Sequence, residues 1–555
     1  MTENRNDKAI IDGQPREVPV LSEFREILNL SDNTRYEDNP IVGVYANDVL
    51  SSVTDLIKGD THIEEVRLFS KSGRRIYRRT LTLLLSYASS LVYPERKLII
   101  GHSLGDGFYF RYQDGETDID VKALKDKMHE IVEAKEKINI CKLQYDDAVA
   151  YMKKCGYEST ALLLDTRNDD AFKMVQIGSY YQLYLEPVLT DMSLVTLWEL
   201  RAYEDGLLLR YPQSRSIRDI RPFVDNKKLF ALFQETRKEC ENLDLFSIGE
   251  LNRRIASGNI DHTILLLEAQ MERRYMTVAK KIIDNPDVKI VFIAGPSSSG
   301  KTTSSLKLSD YLRLYGKKPV RMGLDDYYLH KDLCPRDEKG DYDFECLEAL
   351  DLKAFRDDMD TLLSGGEIHI PTFNFKTQQR IRAEEGTRLE ENSIMVIEGL
   401  HGLNPNLVPE IDKSKVARVY ISALTQLNLD SQTRISTTDN RILRRMVRDN
   451  RTRGIDARET LRRWPSVEDG EKKHIFPFQN NADYVINSAL DYELGVLKIY
   501  AEPLLRSVKR SDGEPYTIAR RLLAFLDYIY PISEKTVPLD SILREFVGGG
   551  IYNVT

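Results

Sequence analysis

The chain has 555 residues, of which 41% are hydrophobic and 30% are charged, with a formal net charge of −8. A chain of this length is too long for one hydrophobic core and predicts about three or four domains. It has no apolar run of about 18 residues, which a membrane span requires, and its first residues lack the apolar core of a signal peptide. We therefore expect a cytoplasmic protein without a membrane partner. The net charge argues against a general nucleic-acid binder, although a local basic patch could still serve one.

The cysteines are scattered and include no C-x-x-C pair: Cys141, Cys155, Cys240, Cys334 and Cys346. This pattern indicates neither a disulfide framework nor a cysteine zinc site. We expect these thiols to be reduced and structural.

Residues 1–36 are polar and predict a loose lead-in to the first folded unit. Two runs follow, at residues 41–49 and 64–69, in which apolar and polar residues alternate as they do in strands. We interpret residues 37–72 as a β-grasp-like module.

A helical pattern over residues 75–92 leads into a segment that contains Gly101 and then Gly107-Phe108-Tyr109. At these residues the chain resembles the N-terminal half of threonyl-tRNA synthetase, in which a β-grasp domain precedes an editing-type domain with a G-x-x-x-x-x-G-F-Y-Y segment. The resemblance covers about residues 38–235 and implies a synthetase-like α+β domain over residues 73–235.

The chain departs from this family at the metal ligands. The editing domain of the family carries H-x-x-x-H on its helix, and the matching positions here are Arg79 and Leu83. No second Cys or His pair follows near residues 184–188, so we expect metal-dependent editing to be absent. His102 and His129 lack partners at ligand spacing, and we expect each to be a surface or hydrogen-bonded histidine.

Residues 236–286 show helical periodicity with charged faces, and the run Ile264 to Leu267 predicts a helix that packs the two halves of the chain together. An aliphatic cluster at this spacing is typical of a core. We expect a helical connector.

A β-branched run from Val288 to Ala294 breaks into a Gly/Ser-rich loop and resumes as a helical pattern. The loop has the spacing G-x-x-x-x-G-K-[ST], in which glycines let backbone N–H groups turn toward phosphate oxygens and the helix N-terminus adds partial positive charge. Lys301 would reach the β- and γ-phosphates, and the Thr302 hydroxyl would ligate Mg²⁺. The alternative is a Ser/Gly-rich turn with a chance lysine. We predict that ATP is bound by Gly295, Ser297, Ser298, Ser299, Gly300, Lys301, Thr302 and Thr303.

Further motifs follow the loop in a fixed order. They are Asp325-Asp326-Tyr327-Tyr328, Phe344-Glu345-Cys346-Leu347-Glu348-Ala349-Leu350, Pro371-Thr372-Phe373-Asn374-Phe375, Ile394-Met395-Val396-Ile397-Glu398-Gly399 and Arg444-Arg445-Met446-Val447-Arg448-Asp449. Together with the loop they resemble the uridine-cytidine kinase branch of the phosphoribulokinase/uridine kinase family. The resemblance covers about residues 287–490 and implies an α/β fold, a P-loop kinase with a parallel doubly wound sheet.

Phosphoryl transfer needs an acceptor for the proton of the attacking hydroxyl, a metal ion that bridges phosphates, and cations that offset charge on the transferred group. Asp325 follows a strand whose carboxyl end faces the ligand crevice, and we predict that it is the base; the alternative is a solvated turn. Glu398 ends an apolar strand, and we expect it to hold Mg²⁺ with Thr302; the alternative is a carboxylate that caps a helix.

Five arginines recur at helical spacing and would form one basic face: Arg441, Arg444, Arg445, Arg448 and Arg451. Since we see no compensating acids on that face, the pattern favours a lid that closes over polyphosphate rather than a solvated surface. We predict that Arg448 is catalytic together with Asp325 and Lys301.

The resemblance also implies an acceptor site. It assigns the sugar to Asp325, Tyr328, Glu345 and Arg445, while the base side differs from the family because Phe373 replaces a tyrosine and Gln378 replaces a histidine. The predicted substrate-binding residues are Tyr328, Phe344, Glu345, Phe373, Gln378, Arg445 and Arg453. Uridine is the leading substrate, cytidine is the next, and a kinase of the same fold that acts on another hydroxylated metabolite is the alternative.

Residues 491–555 predict a helical segment, in which residues 518–526 have an amphipathic period typical of an oligomer or interdomain face. We expect a homo-oligomer. A function of another class is an RNA-binding protein with a nucleotide-dependent switch, for which Arg74, Arg75, Arg78 and Arg79 form a candidate basic cluster.

Overall fold

The computed structural model describes residues 6–11, 14–30, 39–212, 219–336, 340, 342–374, 377 and 379–552. The N-terminal unit is a mixed five-stranded sheet in the order β2-β1-β5-β3-β4. Its elements are β1 (Asn6–Ile11), β2 (Gln14–Pro19), α1 (Phe24–Ile27), β3 (Ile41–Ala46), β4 (Val49–Ser51) and β5 (Thr61–Arg67).

The predicted loose lead-in is wrong for the described residues before residue 36. β1 pairs with β5 in parallel, and β2 pairs with β1 as an antiparallel edge strand. Only a few apolar side chains of this segment, Ala9, Ile11, Val18 and Phe24, are buried in the core of the sheet. Because β2 is an edge strand with mostly exposed residues, its sequence is as polar as that of a loop.

The second unit contains two antiparallel sheets, in the orders β11-β12-β7-β6 and β10-β9-β8, with the long helix α2 in a shared core. Its elements are α2 (Lys71–Val92), β6 (Leu98–Leu104), β7 (Gly107–Tyr112), α3 (Val121–Glu133), β8 (Ile138–Gln144), α4 (Tyr145–Lys154), α5 (Glu158–Asp165), β9 (Ala171–Ile177), β10 (Tyr180–Leu183), β11 (Glu199–Tyr203) and β12 (Gly206–Arg210). The predicted boundary at residue 72 falls within α2, since this helix begins at Lys71.

Three helices form the connector: α6 (Lys227–Asn242), α7 (Ile248–Ala256) and α8 (Ile260–Ile283). The boundary predicted at residue 235 falls within α6, which continues to Asn242. α8 packs on the helix that follows the phosphate loop, where the Tyr275 hydroxyl is 2.7 Å from Ser304 Oγ and Lys307 forms an ion pair with Glu272.

The kinase-like unit has a parallel five-stranded sheet in the order β14-β17-β13-β18-β21. Its elements are β13 (Ile290–Ala294), α9 (Lys301–Leu314), β14 (Lys318–Gly323), α10 (Leu352–Leu363), β15 (Pro371–Asn374), β16 (Gln379–Arg382), β17 (Ser393–Glu398), β18 (Val416–Ser422), β19 (Asn428–Asp430), β20 (Thr433–Arg434), α11 (Thr437–Arg453), α12 (Ala457–His474) and β21 (Tyr484–Asn487). The strand order reverses around β13, so the crevice at the carboxyl ends of β13 and its neighbours is the expected ligand site.

The C-terminal helices are α13 (Glu493–Ser507), α14 (Glu514–Leu526) and α15 (Arg544–Val547). The amphipathic run of α14 packs against α13, α12 and β4 within the chain, with Leu522, Leu523 and Leu526 buried. This run is therefore an interdomain face, and the homo-oligomer stays a prediction. No helix among the described residues combines the length and the apolar character that crossing a bilayer requires.

Candidate active site

The phosphate loop joins the fully buried strand β13 to the first turn of α9. Gly300 caps α9 with φ at 83°, a left-handed conformation that glycine adopts without strain. At Gly295 a Cβ atom would lie 2.0 Å from the carbonyl oxygen of Ile421 on the neighbouring strand β18. Gly300 is thus needed for its backbone angle, and Gly295 is needed because no side chain fits there.

The outer side of the loop is held through its carbonyl groups. Arg441 Nε donates to the carbonyl of Ser297 at 2.9 Å, and the Ser488 hydroxyl donates to the carbonyl of Ser299 at 2.6 Å. These contacts fix two carbonyl groups of a loop whose motif binds phosphate through its N–H groups. Lys301 lies over the loop, with Nζ 3.2 Å from the carbonyl of Pro296.

Thr302 and Glu398 meet beside the loop. The Thr302 hydroxyl donates to Glu398 Oε1 at 3.0 Å, which joins the first turn of α9 to the end of β17. Burial, with a further contribution from the charge of Asp325, raises the pKa of Glu398 to about 7. Glu398 and Asp325 are two carboxylates that burial in the crevice desolvates, and such a pair favours a cation between them. Within the described ranges, no group of three or more His, Cys, Asp and Glu side chains is arranged to hold a metal ion by itself.

Asp325 lies in a short 3-10 turn directly after β14. Its side chain keeps an open path to solvent, but it lies deep in the crevice, and this desolvation raises its pKa while the charges of Lys301 and Arg453 lower it. Its neighbour Asp326 instead accepts the backbone N–H of Phe373 at 3.0 Å. Only Asp325 of the two is therefore open to a ligand hydroxyl.

The basic helix α11 differs from the predicted lid. Arg444 is fully buried and pairs with Glu493, Arg441 pairs with Glu471, and Arg451 donates to the backbone carbonyls of Glu545 and Phe546. The expectation that acids are absent from this face is wrong, because the compensating carboxylates come from other elements. These three arginines hold the helix in the fold.

Three arginines of α11 remain next to the crevice and share one buried carboxylate, Asp449. Arg445 donates to Ser297 Oγ of the loop at 2.8 Å, Arg448 also lies 3.9 Å from Glu545, and Arg453 is half-exposed. Burial lowers the pKa values of Arg445 and Arg453, and their neighbouring cations lower them further, so both would gain from an anion.

The predicted acceptor residues lie at several depths. The Tyr328 hydroxyl donates to the carbonyl of Phe344 at 2.9 Å, and the Tyr328 and Phe373 rings are 6.2 Å apart. Burial and the charge of Glu471 raise the pKa of Glu345 to about 7, and the charges of Arg445 and Lys301 act in the opposite direction. The side chain of Phe344 is 41% exposed and stacks on Tyr342 rather than into the crevice. Gln378 lies outside the described residues.

Two carboxylates at the loop have no counterpart in the sequence prediction. Glu471 of α12 accepts the backbone N–H of Ser297 at 2.8 Å. Glu545 of α15 accepts both the backbone N–H and the hydroxyl of Thr303, at 3.2 and 2.8 Å. Since both come from distant parts of the chain, no local pattern around the loop indicates them. They bind donors that the loop motif uses for phosphate.

The synthetase-like unit has no metal-binding group within its described residues. Arg79, at the first expected histidine position, donates to the Leu183 carbonyl and to the Thr433 hydroxyl, and Leu83 is buried. His129 is exposed beside Trp198, whereas His102 stacks between Phe233 and Tyr109. His102 is half-buried, and its Nε2 has no hydrogen-bond partner among the described residues.

The candidate RNA-binding cluster on α2 is not a free basic surface. Its four arginines, Arg74, Arg75, Arg78 and Arg79, are half-buried. Arg75 forms an ion pair with Glu186, and Arg74, Arg78 and Arg79 donate to backbone carbonyls. Because these guanidinium groups already make contacts within the protein, they offer little positive surface to the phosphate backbone of RNA.

The parallel sheet, the phosphate loop and the carboxylates at its edge define this part of the chain as a P-loop small-molecule kinase domain. Residues 290–494 match the family model described as Phosphoribulokinase / Uridine kinase family. The matched residues make up well under half of the 555 residues.

Similar proteins divide between the two halves of the chain. A uridine kinase of Halobacterium salinarum is 26% identical over 196 residues, which are 35% of this chain and 77% of that protein. A threonine–tRNA ligase of Finegoldia magna is 22% identical over 229 residues, 38% of this chain, and the match spans only 35% of that ligase. The ligase similarity lies in the N-terminal part.

Among solved structures, a possible uridine kinase from Bacillus stearothermophilus is 20% identical, with a TM-score of 0.24, over 27% of this chain and 80% of that chain.

Proposed function

We propose that the chain transfers the γ-phosphoryl group of ATP to the 5′-hydroxyl of a ribonucleoside, with uridine as the first expected acceptor and cytidine as the second. The observation that supports this proposal best is the convergence of Asp325, Lys301 and the Thr302–Glu398 pair beside the phosphate loop. The family match and the similar uridine kinase agree with the same class of reaction.

The residues of the crevice have separate roles in this reaction. The Asp325 carboxylate takes the proton of the attacking hydroxyl, a contribution of about 10²–10⁴ in rate for a well-placed general base. Lys301 and Arg448 offset negative charge on the transferred group. The charges of Lys301 and Arg453 oppose the rise in the pKa of Asp325 that burial causes, and they thereby favour the ionised form of the base.

The donor set beside the loop fits Mg²⁺. Thr302 Oγ1 and Glu398 Oε1 lie together at 3.0 Å, and Mg²⁺ is commonly held by one or two such oxygens together with substrate phosphates. When bound, Mg²⁺ would offset charge on the phosphates. A cation at this position would also lower the pKa of Glu398, which is raised to about 7 without one.

The acceptor would lie on the other side of Asp325. Glu345 and Arg445 offer a carboxyl and a guanidinium to ribose hydroxyls, and Tyr328 is the third expected sugar contact. Phe373, whose ring is 6.2 Å from that of Tyr328, offers aromatic surface to the base. Phe373 lacks the hydroxyl of the tyrosine expected in uridine kinases, so it gives the base packing but no hydrogen bond. This difference makes the identity of the base the part of the proposal that most needs a test.

The test is a phosphoryl-transfer assay of the purified full-length chain with ATP and Mg²⁺. The acceptors are uridine, cytidine, adenosine, guanosine, inosine and non-nucleoside sugars, and each product is identified by its mass. We expect uridine or cytidine to give the 5′-monophosphate. Lys301→Ala is the matched control, and it should lose turnover with every acceptor because a transition-state contact is removed.

Two results would contradict the proposal in different ways. Turnover with another acceptor only would keep the kinase and reject the pyrimidine nucleoside. No transfer to any acceptor, while the wild-type chain still binds ATP, would reject the kinase reaction itself.

A further inference from the structure

A second cavity, of about 320 Å³, lies where the synthetase-like unit, the connector and the kinase domain meet. Strands β6 and β7 contribute His102 and Arg111, helix α6 contributes Phe233 and Arg237, and the segment around β19 and β20 contributes Gln426 and Arg434. Arg79 and Leu83, at the expected editing positions, are not among the residues that line it. The cavity is distinct from the phosphate loop, since no loop residue lines it either.

The hairpin that closes this cavity is held to the synthetase-like sheet by backbone contacts. Asn428 Nδ2 donates to the carbonyl of Ile100 at 2.8 Å, and the N–H of Ile100 donates to the carbonyl of Ser431 at 3.2 Å. Asn428 also forms a parallel bridge with Ser247 at the start of α7. Three parts of the chain therefore fix the walls of the cavity.

Arg434 provides an uncompensated positive charge in the wall. Among the described residues, its guanidinium makes no hydrogen bond and no ion pair, and it lies 5.4 Å from the ring of Phe108. Asp439 acts on Arg434 through its charge, but that carboxylate is bound by both terminal nitrogens of Arg521. Arg434 is half-buried, and a guanidinium without an ion-pair partner can bind an anionic group of a ligand.

The other arginines of the cavity differ from Arg434 because they are paired. Arg111 lies 2.9 Å and Arg237 lies 3.5 Å from Glu241, and Arg237 also lies 3.2 Å from Asp205. Arg434 is therefore the arginine of the wall that has no ion pair among the described residues, and the same wall also contains the Asp430 carboxylate.

Four further side-chain atoms of the cavity are buried and have no hydrogen-bond partner within the described part of the chain. They are Nε2 of His102, Nε2 of Gln426, Nε of Arg237 and the acceptor Oδ2 of Asp430. Burial, followed by the charges of Arg434 and Arg237, lowers the pKa of His102, so its ring is neutral. A neutral imidazole can still donate one N–H, and an amide nitrogen is a donor only. The cavity thus offers several donors to an acceptor-rich group.

An aromatic cluster that includes His102 adjoins these donors. The His102 ring stacks on Phe233 with 3.5 Å between ring centroids, and Tyr109 lies on the other side at 5.2 Å. Such a surface suits the carbon body of a small molecule, while the donors suit its charged end.

We propose that this cavity is a second ligand site, which takes a small metabolite with an oxyanion group, a carboxylate or a phosphate, on Arg434, His102 and Gln426. Arg434 ends β20 directly before α11, the helix that carries Arg445 and Arg448 to the phosphate loop.

The test measures the thermal unfolding midpoint of the full chain against increasing inorganic phosphate and, separately, succinate. We expect at least one anion to raise the midpoint with saturation, since it binds the folded state only. The increase should persist in Lys301→Ala, which weakens anion binding at the phosphate loop, and should be lost in Arg434→Gln. A response to phosphate alone indicates a phosphate group, and a response to succinate alone indicates a carboxylate.

Two further variants make the result decisive if Arg434→Gln does not fold. Gln426→Leu removes one donor and should raise the half-saturating anion concentration about tenfold. Arg462→Gln, on the exposed side of α12, should leave the response unchanged. The proposal is overturned if neither anion saturates, if the response is lost in Lys301→Ala, or if it is the same in Gln426→Leu as in the wild-type chain.

Discussion

Asp325 and Asp326 are adjacent carboxylates with different surroundings. Asp326 is occupied by the N–H of Phe373, whereas Asp325 lies between Lys301 and Arg453 with no hydrogen bond to a described residue. The difference follows from the 3-10 turn after β14, which directs neighbouring side chains to different sides. Two adjacent aspartates therefore differ in role: Asp326 is structural, and Asp325 is the proposed base.

We expect Asp325→Asn to lower the rate of phosphoryl transfer by about 10²–10⁴ while ATP affinity changes little, because an amide cannot accept the proton of the hydroxyl. Single-turnover product formation and calorimetric ATP binding measure the two effects. Asp332→Asn, at an exposed carboxylate of the next turn, is the control and should transfer at the wild-type rate. Normal transfer by Asp325→Asn would show that this residue is not the base.

Glu545 shows how one residue from the end of the chain enters the nucleotide site. Its carboxylate binds the Thr303 N–H and hydroxyl, and it is only 6% exposed. Nucleotide phosphates would meet this negative charge at donors that the loop motif provides for them.

We therefore expect Glu545→Gln to tighten ATP binding about tenfold, equivalent to about 1.4 kcal/mol, because one negative charge beside the phosphates is removed. Calorimetry with ATP in the presence of Mg²⁺ measures the change. Glu534→Gln, in the exposed part of the same segment, should bind as the wild-type chain does. Weaker binding by Glu545→Gln would mean that Glu545 supports the loop and does not compete with phosphate.

At the scale of elements, α11 acts as a fixed part of the kinase domain. Arg444 forms its ion pair with Glu493 in a fully buried position, and Glu493 also accepts a hydrogen bond from Asn440 of α11. The helix is therefore joined to α13 by a network whose charged groups have no access to water.

Glu493→Gln is expected to destabilise the protein by about 3–5 kcal/mol, because Arg444 is left as an uncompensated buried charge. Urea unfolding followed by tryptophan fluorescence measures the loss. The matched control is Glu502→Gln on the same helix, where an exposed pair with Arg506 should contribute no more than about 0.5 kcal/mol. Equal stabilities of the two variants would support a mobile lid instead.

At the scale of the whole molecule, charged contacts join units that are distant in sequence. Asp439 of α11 receives two hydrogen bonds from Arg521 of α14, at 2.5 and 2.8 Å, and Arg75 of α2 acts on it through its charge. Burial alone would raise the pKa of Asp439, but these guanidinium groups outweigh burial and lower it. The network connects the synthetase-like unit, the kinase domain and the C-terminal helices.

Because the pKa of Asp439 is lower in the folded than in the unfolded state, its contribution to stability is complete above about pH 4, the ordinary range of an aspartate. We expect this contribution to be lost as the pH falls further, at up to about 1.4 kcal/mol per pH unit for one proton. Urea midpoints between pH 2.5 and 6 measure this slope. Asp439→Asn should flatten it, whereas Asp287→Asn at an exposed position should keep it.

The sequence by itself determined the phosphate loop, the kinase fold class and the order of the motifs around them. These rest on local rules: a strand, a loop of fixed spacing and a helix are contiguous, so Gly295 to Thr303 predict their own geometry. Helical periodicity likewise identified the arginines of α11 as one set. It could not identify Glu471, Glu493 and Glu545 as their partners, since periodicity gives the residues of a face and not the element that covers it.

Only the tertiary structure decided which polar groups are paired and which are left over. The strands before residue 20, β1 and the edge strand β2, are too polar to be recognised without their partner β5. His102 became a half-buried, unpartnered ring because α6 lies over its sheet, and Arg434 joined it because the kinase hairpin pairs with β6. Such contacts depend on how separate units pack, and that is decided by the free energy of the whole fold rather than by any local run of residues.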